Sequence, residues 1–142
     1  AGILLFSSAT AMANIIGGIV FALALLAYLL GLKGTGSASL SLDEIRQQYN
    51  DRLNLPLDLI LQTPGEKIIR LLTDRVKYLD SHLEKMAEVL GETGDLYEEA
   101  GDHDTAKELW RKSLIIYTHV QDTSNSFSMD RMQKISRLQE KA

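Results

Sequence analysis

Residues 87–120 read AEVLGETGDLYEEAGDHDTAKELWRKSLIIYTHV, two apolar-periodic runs separated by a glycine and an aspartate. Gly101-Asp102 joins a helix stop to a new N-cap: glycine accepts the left-handed conformation that ends a helix, and an aspartate oxygen can take the free amides that begin the next. Ala106 is small enough for two helices to approach closely. Beyond it Leu109, Trp110, Leu114 and Tyr117 build an apolar face at helical spacing. The pattern predicts a helical hairpin with its turn near Gly101.

Working upstream, Ile68, Leu72, Val76, Leu79, Leu83, Met86 and Leu90 recur every three or four residues and continue to Thr93 and Tyr97. Ile69, Leu71 and Val89 widen the stripe, which reads as the buried face of a bundle helix, with a dimeric coiled coil as the alternative. One long or kinked helix is expected here, with a possible break near Asp80, where Ser81-His82-Leu83-Glu84 forms a candidate capping box. Ser41-Leu42-Asp43-Glu44 and Thr63-Pro64-Gly65-Glu66 are two more, placing helix starts near Leu42 and Pro64. Between them, residues 53–62 read as a short helix. Downstream of the hairpin, a polar loop over 121–126 leads to a helix at about 128–141 with Met129, Met132, Ile135 and Leu138 every three residues. It is either a capping helix or a partner-binding face with adaptable methionines.

The N-terminal part has a different character. No Asp, Glu, Lys or Arg occurs from Ala1 to Leu32, so all 15 basic and 19 acidic residues lie in the rest of the 142-residue chain. The mean hydropathy of −0.05 is an average over two unlike halves. Residues 14–32, NIIGGIVFALALLAYLLGL, are long enough at ~1.5 Å per residue to cross the ~30 Å of a bilayer, and residues 1–33 are expected to hold a transmembrane or hydrophobic helix. Gly18 and Ala22, and Ala27 and Gly31, are small pairs four apart, a spacing that suits close helix packing in a membrane or between copies. Lys33 favours a soluble domain on the cytoplasmic side. Gly34 to Ser39 has the composition of a flexible tether, giving a linker at 34–40 and a helical domain at 41–142. A buried soluble helix, and a signal peptide cut after Ala11-Met12-Ala13, are the other readings of the start.

A net charge of −4 argues against a phosphate-binding surface, so no nucleic-acid partner is expected. With no cysteine there is no disulfide framework, thiolate metal site or cysteine nucleophile. His82, His103 and His119 have no metal-ligand spacing. The acidic cluster Asp95, Glu98, Glu99, Asp102 and Asp104 lacks the glycine and terminal glutamate of a calcium loop. Phosphate-loop, nucleophile-elbow and zinc-protease motifs are all missing. No catalytic, cofactor or metal residue is assigned, and an enzyme is not expected.

Gly94 at a helix crossing, Tyr97 three residues later, Gly101 at the turn, Ala106, Trp110, and then Ser113 and Leu114 give residues 87–120 a pattern that resembles a tetratricopeptide (TPR) repeat. The resemblance implies an all-α protein-binding fold. A single repeat cannot bury its own apolar face, so the helix from Pro64 and the C-terminal helix would act as caps. The expectation is an all-α chain, an N-terminal hydrophobic helix followed by a small TPR-like bundle, acting as a membrane-anchored scaffold or accessory subunit through protein–protein binding. Candidate partner-face residues are Tyr117, Met129, Met132, Ile135 and Leu138, with Trp110 either in the core or sharing that face. The alternative is a subunit that resembles pilin-like filament proteins, its N-terminal helices packed against copies of itself and its helical head outside.

Overall fold

The computed structural model describes residues 20, 22–36, 38–76 and 80–142 of the chain, and every regular element among them is helical. In order they are α1 (22–32), α2 (Ala38–Gln48) running into a π-helical turn (Tyr49–Leu53), α3 (Leu57–Gln62), a 3₁₀ turn (Gly65–Lys67) leading into α4 (Ile68–Val76), α5 (Asp80–Glu99), α6 (His103–Thr123) and α7 (Met129–Lys141).

The centre is an antiparallel pair, α5 and α6. Its turn is closed by the amide of Asp102 donating to Tyr97 O at 2.9 Å, with Gly101 at φ +89°. Asp102 then caps α6, its Oδ1 accepting from the amide of Thr105 at 3.2 Å. Along the seam Leu83, Met86, Leu90 and Tyr97 of α5 are buried at spacings of three, four and seven, and Ala106, Leu109, Ile116 and Tyr117 of α6 are buried opposite them. At the crossing Gly94 lies directly beneath the Trp110 indole. The Ser113 hydroxyl donates to Ala87 O at 2.6 Å and binds the two helices deep in the pair.

The other elements pack around it. The Thr93 hydroxyl gives its proton to Val89 O at 2.8 Å, so it accepts from the Tyr49 hydroxyl at 2.6 Å and holds the π turn against α5. Lys112 is buried on α6, and its ammonium is bonded to Glu108 and, at 3.0 Å, to Leu61 O, one of the free carbonyls at the end of α3. A helical turn does begin at Gly65, next to Pro64 as expected, but at neither the Ser41 nor the Thr63 box does the hydroxyl cap the helix as read. α2 is already under way at Ala38, with Ser41 buried inside it. Thr63 turns its hydroxyl back to Leu59 O at 2.6 Å instead of capping forward. A hydroxyl that bonds the carbonyl four residues back is not available to cap the helix that follows.

The N-terminal apolar segment requires a correction. Among the described residues no helix is long and apolar enough to cross a membrane, which overturns the placement as a single-pass membrane protein with a cytoplasmic head. The physical reason lies in what α1 touches. Ala22, Leu25, Leu26 and Leu29, at positions i, i+3, i+4 and i+7, are buried in the same core as the hairpin. Lys33 is not an interfacial lysine: its ammonium bonds Asp95 at 2.8 Å and Glu92 at 3.0 Å on α5. The 34–40 stretch, expected as a tether, begins as a turn. Gly34 and Gly36 take φ +79° and +77°, and the Gly34 amide donates to Glu99 Oε1 at 3.1 Å. Gly18 and the rest of 1–19 lie outside the described residues.

Candidate binding cleft

α7 runs parallel to α5. Arg131 meets Glu84, Lys134 meets Glu88 and Lys141 meets Asp95, a nearly constant offset of 46–47 residues along the two helices. Ile135 and Leu138 turn inward between these pairs. Where α7 stands away from the hairpin it leaves a cleft of about 140 Å³, floored by Ala87, Gly91, Ser113 and Tyr117 and walled by charged side chains. A space of this size takes a side chain or a small polar group, not a drug-sized ligand.

Asp95 is the node of the cleft. Its Oδ1 accepts from Trp110 Nε1 at 3.1 Å and from Lys141 Nζ at 3.2 Å, and its Oδ2 from Lys33 Nζ at 2.8 Å. One carboxylate thus connects α5, α6, α7 and the end of α1. The Lys141 ammonium also lies 5.3 Å from the centre of the Trp110 ring, within cation–π range. Burial by itself lowers the affinity of Lys33 for its proton, but the bonds to Asp95 and Glu92 outweigh it and hold this ammonium above the ordinary lysine range. Tyr117, on the cleft floor, is raised far above a free phenol, first by burial and then by Glu88 and Glu84. It therefore stays neutral.

The acidic cluster at the turn is distributed among separate structural tasks. Asp95 binds two lysines and the indole, Asp102 caps α6, Glu99 receives the Gly34 amide, and Glu98 pairs with His103 at 2.7 Å. That last pair makes a prediction. The Glu98 carboxylate, by hydrogen bond and by charge, raises the His103 imidazole above 6.5. It does so even though His103 sits at a helix start, where the dipole disfavours a cation. The sign follows: the pair stabilises the fold below the unfolded histidine pKa, and its contribution is lost as pH rises through the folded one. An NMR titration should place His103 above 6.5, and Glu98→Gln should bring it down. A wild-type value at or below 6.5 would sink this assignment.

The residues expected to form a partner face do not share one surface. Tyr117, Ile135 and Leu138 are buried, whereas Met129 is 65% exposed and Met132 lies at the surface, as does Phe127 at 68%. Of the hairpin residues, Gly94, Tyr97, Ala106 and Trp110 are buried, Leu114 is half-buried and Gly101 is exposed at the turn. Ala22 faces the core, and Ala27 and Gly31 face outward. Sequence reasoning missed Arg131 and the node at Asp95. Glu84 lies 47 residues from Arg131, and Trp110, Lys141 and Lys33 lie 15, 46 and 62 from Asp95, so no local spacing announces these pairs.

Among known proteins, no family model, no curated protein and no solved structure matches the chain.

Proposed function

We propose that this chain is a helical interaction module built on a TPR-like hairpin, and that it works by binding another protein, not by catalysis. The observation that carries the reading is the unpartnered apolar surface where α6 passes into α7: Phe127 at 68% and Met129 at 65% exposed, with Met132 one turn on. Large apolar side chains grouped at a surface are characteristic of contact sites, and methionine adapts to partners of different shape. Gly94 under Trp110 and the buried Ala106 support the hairpin part of the reading, because those are the positions at which the resemblance asks for small residues. The partner that fits presents an apolar side chain to Phe127 and Met129, and an acidic group to Arg137 on the cleft wall.

The test places a photo-crosslinking residue at Met129 in the full chain, and another at Lys107 on the exposed side of α6, in the native host. Crosslinks to one defined protein from 129 and not from 107, reduced about tenfold or more by Met132→Lys with unchanged helicity, are the expected result. Equal yields from the two positions, or insensitivity to Met132→Lys, would overturn the reading.

A further inference from the structure

We infer that the cleft between α5, α6 and α7 binds one carboxylate group, held by the Arg137 guanidinium on its wall and the Tyr117 hydroxyl on its floor. The inference goes beyond protein docking at Phe127 and Met129 and stands without it. Tyr117 is 2% exposed and reaches the cleft floor, yet no described residue forms a hydrogen bond with its hydroxyl. A donor left unpaired in so enclosed a place is costly. Because burial and the nearby Glu88 and Glu84 keep the phenol protonated, this hydroxyl has a proton to give to a ligand that brings an acceptor.

The charges select the ligand. Four cations line the cleft against three carboxylates. Lys33 is paired with Glu92 and Asp95, Lys134 with Glu88, and Lys141 with Asp95. Of the four, Arg137 alone makes no ion pair or hydrogen bond with a described residue. It lies three residues after Lys134 and four before Lys141, on the stripe of α7 that turns to the cleft. One positive charge is therefore uncovered, which suits a monoanion, whereas a dianion such as phosphate would set a second negative charge among Glu88, Glu92 and Asp95. A guanidinium fork takes both oxygens of a carboxylate and leaves a lone pair for the Tyr117 hydroxyl. The size agrees: about 140 Å³ is close to the ~150 Å³ that holds a benzene molecule, so the ligand has about six heavy atoms. Small floor residues, Ala87, Gly91 and Ser113, make that room, and Ala87 with Leu138 gives the acid's carbon tail an apolar seat. Two sources carry this chemistry, a free small acid and an aspartate or glutamate side chain of the docked protein.

The probe is propionate, with propionamide as its neutral counterpart of the same shape, each titrated into the full chain at fixed ionic strength and followed by NMR. Propionate should move the signals of Gly91, Tyr117 and Arg137 along one saturable curve with a Kd of about 0.1–10 mM. Propionamide should bind at least about tenfold more weakly. Tyr117→Phe removes only the unpaired hydroxyl and Arg137→Gln only an exposed guanidinium, so both should keep the wild-type urea midpoint while weakening propionate by about tenfold or more. Arg111→Gln, at a guanidinium on α6 outside the cleft, should bind as the wild type does. Competition separates the two sources: if saturating propionate suppresses the crosslink from position 129, the docked protein supplies the carboxylate, and an unaffected crosslink assigns the site to a free acid. Equal affinity for propionate and propionamide, shifts that never saturate, or wild-type affinity in either cleft variant would overturn the site. None of these results touches the crosslink itself, and its absence with propionate binding intact would overturn the docking at Met129 alone.

Discussion

Gly94→Ala is expected to lower the stability of the chain by about 2–3 kcal/mol, against the usual direction for such a change. In the middle of a helix the substitution ordinarily stabilises by roughly 1 kcal/mol, because alanine loses less backbone freedom. Here the new Cβ would fall 2.5 Å from Trp110 Nε1, 2.6 Å from Trp110 Cδ1 and 3.2 Å from Ala106 O. The indole cannot retreat freely. Its N–H is committed to Asp95 at 3.1 Å, and Asp95 is itself held by Lys33 and Lys141. To relieve the clash, either α5 and α6 separate along their seam or Trp110 turns and gives up its charge-assisted hydrogen bond, a loss of about 1.5–3 kcal/mol. Either cost, about 1–3 kcal/mol for overpacking or about 1.5–3 kcal/mol for the lost bond, exceeds the helix-propensity gain. Gly91, one turn earlier, is the internal control. A Cβ there meets only Ser113 Oγ at 3.4 Å, so Gly91→Ala should be neutral or stabilising by up to ~1 kcal/mol. Urea denaturation of both variants checks this, and a Gly94→Ala midpoint equal to or above that of Gly91→Ala would refute the close-approach account.

The same comparison shows what the sequence could and could not reveal. The helical class is legible in the spacing of Ile68, Leu72, Leu83, Met86 and Leu90, and the glycine-aspartate stop at 101–102 is a local signal with a local cause. Both depend on residues close together along the chain. The N-terminal segment failed for the opposite reason. Composition and length at 14–32 satisfy a membrane helix, and they equally satisfy a helix whose inner face fills a protein core. The difference lies in Leu25 and Leu29 finding the core, and in Lys33 finding Asp95 62 residues later. The candidate partner face was misjudged through the same gap. A three-residue repeat at Met129, Met132, Ile135 and Leu138 spirals slowly around a helix, so its ends point to different sides. The structure accordingly puts the two methionines outside and Ile135 and Leu138 inside.

Arg131→Ala is expected to be the most damaging change in α7, at about 3 kcal/mol. This guanidinium is 6% exposed as a residue, yet its environment is polar on every side. It makes a two-point contact with Glu84, Nε to Oε1 at 3.0 Å and Nη2 to Oε2 at 3.2 Å, while Nη1 donates to Gln121 Oε1 at 3.0 Å and to Ser126 O at 3.4 Å. One side chain therefore fixes the start of α7, the end of α6, the connecting loop and α5. Truncation leaves Gln121 Oε1 without its donor, while Ser126 O keeps the Ser124 hydroxyl at 3.4 Å. Glu84 is partly exposed and recovers some hydration, which keeps the loss below that of a fully buried pair. Arg131→Lys retains the charge but not the planar fork, so it should recover less than half of the loss. With the clamp gone, Ile135 and Leu138 are held mainly by their own burial, and amide exchange should accelerate throughout α7 before it changes in α5. Denaturant melts of Arg131→Ala, Glu84→Gln and the double variant should show a coupling of roughly 1–3 kcal/mol. Strict additivity, or a single-variant cost within about 0.5 kcal/mol of zero, would mean that α7 is secured by its apolar face alone.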